Sequence, residues 1–180
     1  PLIRRLIRQH GKKPVHGPMI GNLSGTSATV WLRTADAATV QVEADTVPPM
    51  PGEKVSAEVQ TRREHDFVAK VVLKNLKPRT KYTYTVTIDG QKNRAANQKF
   101  MTFSKSGEAG RFRLAFGGGA GFVPQHEYVW NTIAATKPDA LFQLGDNVYI
   151  DNTSVMDMHH YCYYRRQSRP EYRSLVAGLG

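Results

Sequence analysis

The sequence predicts two folds in one chain: an all-β sandwich over residues 17–103, then the start of an α/β domain over residues 111–180. Three observations carry this reading. Between Gly17 and Phe103, apolar and polar residues alternate at period two in short runs, as half-buried strands require. Clusters of Gly, Pro, Asp and Asn separate those runs and supply the turns. After a small, polar stretch at 104–110 (Ser-Lys-Ser-Gly-Glu-Ala-Gly), which reads as a linker, the pattern changes to strand, glycine-rich loop, helix, strand.

In chain order, residues 1–16 form a basic N-terminal segment in which apolar and basic pairs alternate. It reads either as a short amphipathic helix that meets a membrane surface or as a tail leading into the first strand, since Gly11 and Pro14 interrupt it. Strands are predicted at Met19 to Leu23, Ser27 to Arg33, Thr39 to Glu43, Lys54 to Gln60, Asp66 to Lys74, Lys81 to Ile88 and Gln98 to Phe103. About seven short strands with this turn spacing suit an immunoglobulin-like sandwich. The run Leu76-Lys-Pro78-Arg-Thr80-Lys-Tyr82 places a tyrosine at the start of a strand, where its hydroxyl can bond back to the preceding corner. That run, with the strand carrying Trp31, resembles fibronectin type III domains, which mostly position other domains; it is assigned no chemistry.

Beyond the linker, Arg111 to Phe116 reads as a strand and Gly117 to Gly121 as a glycine-rich loop. Gln125 to Thr136 has helical spacing through Tyr128, Val129, Ile133 and Ala134, and Lys137-Pro138 ends it. Ala140 to Leu144 is the next strand, which completes a βαβ unit with a right-handed crossover. Helices are predicted near Asp157 to Gln167 and Pro170 to Ala177, with Pro170 in the first turn of the second.

Composition bounds the partners. The 180 residues carry a net charge of +10, which favours anionic partners. The basic residues are dispersed, and no block of like charge is long enough to be a nucleic-acid arm, so no specific nucleic acid is expected. A single cysteine, Cys162, excludes an intrachain disulfide. No apolar run approaches the length of a transmembrane helix. The chain opens at Pro1 without an initiator Met or signal-like segment and closes at Gly180 soon after a helical pattern, so both ends are expected to be cut.

The chemistry concentrates at Leu141-Phe-Gln-Leu-Gly-Asp146-Asn-Val-Tyr149-Ile-Asp151. An apolar run bounded by turn residues suits a buried parallel strand, and ligands bind outside the carboxyl ends of such strands. Asp146 and Tyr149 are oxygen donors suited to a hard or borderline metal ion; the alternative is a plain strand-ending turn. The loop Gly117–Gly121 lies beside them across the βαβ unit and could hold phosphate on its backbone N–H groups or approach a metal closely. It is not a Walker loop, because no Lys-Ser/Thr follows. His159, His160 and Cys162 invite a zinc reading, but there is no second Cys/His pair and packing accounts for them more simply. Arg165, Arg166 and Arg169 face either an anion, as a bidentate phosphate clamp, or solvent. His126 and Glu127 open the first helix, where a carboxylate is favourable in any case.

Taken together, these motifs resemble the alkaline phosphatase D (PhoD-like) metallophosphatases. Phe112 to Gly121 is similar to that family's first catalytic strand and loop, Gln143-Leu-Gly-Asp-Asn-Val-Tyr149 to its Gly-Asp-x-x-Tyr metal motif, and Tyr164 to Leu175 to the helical segment that follows. A leading immunoglobulin-like domain also matches its layout, and the resemblance spans about residues 16–180. It implies a metal-dependent phosphoester hydrolase that uses a metal-activated water, with Asp146 as a metal-bridging carboxylate and Tyr149 as a ferric ligand. It implies Fe3+ with a divalent ion (Ca2+, Zn2+ or Mn2+) as cofactors, and a phosphoester as substrate. Gly119, Arg165 and Arg166 are carried as candidate substrate-binding residues. By resemblance alone the protein is expected in the periplasm, at the cell surface or secreted. Two departures accompany this. Members commonly have Cys or Asp at the end of the first strand, where this chain has Gly118 or Gly119. The later Asp-His, Asn and His ligands are expected beyond residue 180, so this N-terminal portion is expected to be inactive alone. Two other readings stand: a purple acid phosphatase-like enzyme, which normally has Asp at the first strand end, and a non-enzymatic binding module for anionic surfaces.

Overall fold

The structure, a computed structural model, describes residues 13–93 and 97–179. The segment 1–12, with its expected helix or tail, lies outside the described residues.

Among the described residues, eight short strands build the sandwich. In one sheet β1 (His16–Gly21), β2 (Ala28–Arg33) and β5 (Val68–Leu73) pair antiparallel in the order β1-β2-β5. In the other, β4 (Val55–Gln60), β3 (Thr39–Thr46), β6 (Lys81–Ile88) and β7 (Gln91–Asn93) lie in the order β4-β3-β6-β7, and β8 (Lys99–Met101) also pairs with β6. Every second residue of β2, β3 and β6 points inward, so Val30, Leu32, Val40, Val42, Val86 and Ile88 meet in a core at 1% exposure or less. Each such fully buried side chain contributes on the order of 1.5–3 kcal/mol of transfer free energy, so the alternation holds the strand register as well as the stability.

The corner ahead of β6 forms as its sequence requires. The buried Tyr82 hydroxyl accepts a hydrogen bond from the Lys77 backbone N–H at 2.9 Å, and its ring stacks on Phe100 at 5.3 Å between centroids. Thr80 donates its hydroxyl to the Pro78 carbonyl at 2.8 Å. The fold is therefore a fibronectin III-like sandwich followed by the opening of an α/β domain.

Residues 104–113 contain a turn in which Glu108 N–H bonds Lys105 O, and Phe112 sets its ring edge-on against Phe103 at 5.4 Å. Then β9 (Leu114–Gly117) and β10 (Ala140–Gln143) pair in parallel, Leu114 opposite Ala140 and Gly117 opposite Gln143. The crossover between them contains a 3-10 turn (Pro124–His126) and α1 (Val129–Ala135). Its end is fixed by Arg113 and Asp139: the Asp139 N–H bonds Arg113 O at 2.8 Å, the Arg113 N–H bonds the Asp139 carboxylate at 2.6 Å, and the Arg113 guanidinium reaches the Thr136 carbonyl. One sheet face, with Ala115 and Leu141, turns toward α1. The other presents Leu114, Phe116, Phe142 and Leu144, each more than half exposed.

Two helices close the described chain, α2 (Met156–Gln167) and α3 (Pro170–Ala177). They join the two parts. Arg173 donates to the carbonyls of Gly17 (2.8 Å), Pro14 (3.3 Å) and Val15 (3.5 Å), and Tyr84 donates to the Ala177 carbonyl at 2.9 Å. Tyr164 rests on the His16 ring at 4.7 Å and donates to Asp66 at 2.9 Å, while Arg33 lies over its face and pairs with the same Asp66 at 2.7 Å. No helix among the described residues is long and apolar enough to cross a membrane.

Candidate functional site

The loops after β9 and β10 leave the same end of the parallel pair. Leu144 N–H continues the ladder to Gly117 O at 2.8 Å, and Ala120 N–H bonds Asp146 O at 2.9 Å, so the glycine loop and the Gly-Asp loop are laced by their backbones. Gly145 (φ 116°) and Asp146 (φ 47°) turn the chain sharply at the strand end. Glycine adopts such angles freely, and Asp is among the few other residues that tolerate the left-handed region. The turn brings Asp146 and Tyr149 together on the loop surface: the Tyr149 hydroxyl donates to Asp146 Oδ2 at 3.0 Å. That hydrogen bond, more than the minor effects of burial and the carboxylate's charge, holds the Tyr149 phenol above its ordinary pKa.

Gly119 belongs to the same cluster. A Cβ built there would stand 3.9 Å from the Tyr149 hydroxyl, whereas one on Gly118 would stand 3.4 Å from the Gly145 carbonyl. Position 119 is thus the one that faces the Asp146–Tyr149 pair. It has φ 68°, a conformation that glycine takes without strain. Both Asp146 and Tyr149 are hard oxygen donors, and their chemistry fits one side of a ferric or mixed-metal centre. Among the described residues no group of three or more His, Cys, Asp or Glu stands close enough to hold a metal ion.

The two arginines have different surroundings. Arg165 makes a two-pronged pair with Asp151 at 2.7 and 3.1 Å and lies 4.7 Å over the Phe122 ring. That hydrogen-bonded pair holds the Asp151 carboxyl below its usual range and the Arg165 guanidinium above its own. Arg166 is buried at 5% exposure. Its Nη2 donates to the carbonyls of Ala120 (3.0 Å) and Gly121 (3.1 Å), its Nη1 to the Asn147 carbonyl at 3.4 Å, and its Nε lies 3.1 Å from Glu127 Oε2. Glu127, 2% exposed, also accepts from Trp130 Nε1 at 2.8 Å, and the Trp130 ring lies 5.2 Å from the guanidinium. In the sequence Glu127 stands out only as a helix-start charge; the Glu127–Arg166 pair joins residues too distant in the chain for any spacing rule to reveal.

Beside this pair, a cavity of about 360 Å3 opens between the sheet and α1, lined by the glycine loop, Trp130, Ile133, Leu141 and Arg166. The remaining candidates do not converge on it. His159 Nε2 contacts the Thr153 carbonyl at 2.9 Å, His160 stacks on Tyr164 at 5.8 Å, and Cys162 is buried.

Fold and site together define a class: a fibronectin III-like sandwich locked to an α/β half that carries a Gly-Asp-x-x-Tyr loop at the carboxyl edge of its parallel strands. The chain belongs to the family described as a domain of unknown function, DUF7800, which matches residues 12–106. Among solved structures, that of PhoD superposes with a TM-score of 0.78 at 16% identity, covering 92% of this chain and 37% of PhoD's. At that identity the likeness is one of fold, and because it covers nearly all of this chain it includes both the sandwich and the α/β half. The chain spans little more than a third of the length of that protein. The sensor domain of the anti-sigma factor RsgI4 in Pseudobacteroides cellulosolvens (TM-score 0.42, 18% identity, 56% of this chain and 97% of that one) and the FN1–FN3 domains of chicken CNTN1 (0.36, 15%, 47% and 29%) fall below the level that defines a shared fold. No curated protein matches.

Proposed function

We propose that this chain is the leading part of a metal-dependent phosphoester hydrolase of the PhoD-like kind, with Asp146 and Tyr149 contributing to its metal centre. The observation that carries the reading is the 3.0 Å contact between these two oxygen donors on a loop at the carboxyl edge of a parallel βαβ unit. The likeness of the whole two-part fold to PhoD supports it. So does the open apolar face of Leu114, Phe116, Phe142 and Leu144, because parallel sheets are ordinarily covered on both faces and further α/β elements would cover this one.

In this reading Asp146 and Tyr149 would hold a ferric ion, with a divalent ion beside it, and the other donors would come from the part of a PhoD-like fold that this chain does not span. Bound ions supply Lewis-acid polarisation of a phosphoryl oxygen and a water acidic enough to attack at neutral pH. This chain's own contribution is to present the Asp146 carboxylate and Tyr149 phenol as one unit and to leave room at Gly119 for a close approach. Tyr149 would hold the ion through its phenol oxygen and Asp146 through its carboxylate, and without an ion the Tyr149 hydroxyl donates to Asp146. Arg165 is the more accessible candidate for a phosphate oxygen, which it would reach by releasing one prong of its pair with Asp151.

The test is hydrolysis of aryl phosphate monoesters and diesters by the full-length protein, with and without chelation, alongside Asp146→Asn. The reading expects turnover that metal restores and that Asp146→Asn lowers at least roughly a thousandfold, as removal of a metal-ion contribution of several kcal/mol would. Unchanged turnover in Asp146→Asn contradicts it.

A further inference from the structure

We infer that Arg166 is a positioning residue for the Asp146–Tyr149 loop, a clamp that makes the glycine loop and the Gly-Asp loop move as one body; as a role in metal binding, it rests on the reading above. Three observations meet at this side chain. It is buried, its two terminal nitrogens donate to loop carbonyls, and its Nε lies against an ion partner, Glu127, that is equally buried, at 3.1 Å but without hydrogen-bond alignment. Its donors divide between the two loops: Ala120 and Gly121 on one side, Asn147 on the other. Asn147 directly follows Asp146, and Ala120 directly follows Gly119 while bonding Asp146 through its backbone N–H.

A guanidinium has five donors in a rigid planar fork and can serve both loops and a carboxylate at once; an ammonium is a compact charge on a flexible stem. Carbonyls are also a poor resting place for an anion, so the three carbonyls around Arg166 describe a structural clamp rather than a phosphate seat. Buried ion pairs contribute little net stability against an apolar substitute, whereas fixing a unique arrangement is a use that such groups serve well. Neighbouring Arg165, half-buried, pairs with the Asp151 carboxylate and lies over the Phe122 ring, farther along the same two segments, and none of its hydrogen bonds reaches the Ala120, Gly121 or Asn147 carbonyls. The helix thus divides adjacent arginines between two different tasks.

The decisive measurement needs no metal. Backbone hydrogen exchange is read on the parent, Arg166→Lys and Glu127→Gln, at Ala120 and Leu144, whose N–H groups span the two loops and the strand ends. Loss of charge-assisted hydrogen bonds predicts that protection at Ala120 falls about ten- to a hundredfold in Arg166→Lys, with the Gly117–Leu144 link loosening alongside it and the sandwich amides unchanged. Glu127→Gln keeps the shape and predicts a smaller loss in the same amides. Unchanged protection at Ala120 in Arg166→Lys overturns the inference, and so does a loss spread equally over the sandwich. A second readout separates this proposal from the phosphatase reading. If the ferric protein has a tyrosinate absorption band, Arg166→Lys should shift or weaken it while Arg63→Lys, exposed on the sandwich, leaves it in place. A parent with no band counts against the metal reading, and exchange at Ala120 still decides for or against the clamp.

Discussion

Lowering the pH from about 7 to about 4 should loosen the joint between the sandwich and the helices through one side chain, His16. It is 2% exposed and sits where β1, β2, α2 and α3 meet. Arg33 and Arg173 face it as cations, Tyr164 covers its ring and Asp66 is the nearby anion, itself held by Arg33 and Tyr164. Its Nδ1 has no hydrogen-bond partner among the described residues. Burial first, then the charges of Arg33 and Arg173, lower its pKa from 6.5 to about 4, with Asp66 opposing. Between those values the unfolded chain binds a proton that the folded chain does not, so stability rises with pH in that window. The contribution is fully present above pH 6.5 and is lost progressively as pH falls toward 4. At about 1.4 kcal/mol for each tenfold difference in proton affinity, the loss comes to about 3 kcal/mol. The assay is urea unfolding at a series of pH values for the parent and for His16→Phe, which keeps a ring against Tyr164 but cannot charge. Carboxylates such as Asp66, whose pKa Arg33 lowers, titrate in both proteins and cancel in the difference. The parent should lose about 3 kcal/mol more than the variant across the window. Parallel curves would refute the reasoning.

Further outcomes follow from other local structures. Tyr82→Phe leaves the Lys77 N–H without its acceptor at a half-buried corner and should cost about 1–2 kcal/mol in unfolding free energy, with the strand register kept. Gly17→Ala combines φ 77° with a Cβ only 2.7 Å from the Trp31 carbonyl, so calorimetry should show a loss of about 2 kcal/mol or more. Gly119→Asp places a carboxylate toward the Tyr149 hydroxyl at a left-handed position that Asp tolerates. It should tighten ferric binding, measured by competition with a chelator, by roughly tenfold or more, as an added anionic oxygen donor does. Equal or weaker affinity would show that position 119 does not face the metal.

Much of the fold was legible because its forces are local. Alternation in β2, β3, β5 and β6 reports burial directly, and the Leu76–Tyr82 run specifies its own corner. β7 was not foreseen: Gln91-Lys-Asn93 has no apolar pattern and pairs because Asp89 (φ 44°) and Gly90 (φ 81°) turn the chain back on β6. The Asp-Gly dipeptide is a known hairpin signal and could have found it. β9 starts at Leu114 rather than Arg111, since Phe112 packs on Phe103 and Arg113 is tied to Asp139. The predicted helix from Gln125 begins only at Val129, after the turn opened by Pro124. At the site, residue types and the juxtaposition of the two loops could be read from the βαβ grammar. Which arginine turns inward could not, because Glu127 and the Ala120 and Asn147 carbonyls reach Arg166 only in three dimensions. The His16 joint was hidden for the same reason, its partners lying on separate elements.

The central claim is that Asp146 and Tyr149 together hold a metal ion, and absorption spectroscopy of the chain exposed to ferric and divalent ions tests it most directly. The account predicts a visible tyrosinate–iron band that disappears in Tyr149→Phe and falls with bound iron in Asp146→Asn. A band that survives Tyr149→Phe, or iron bound equally by parent and Asp146→Asn, would contradict it.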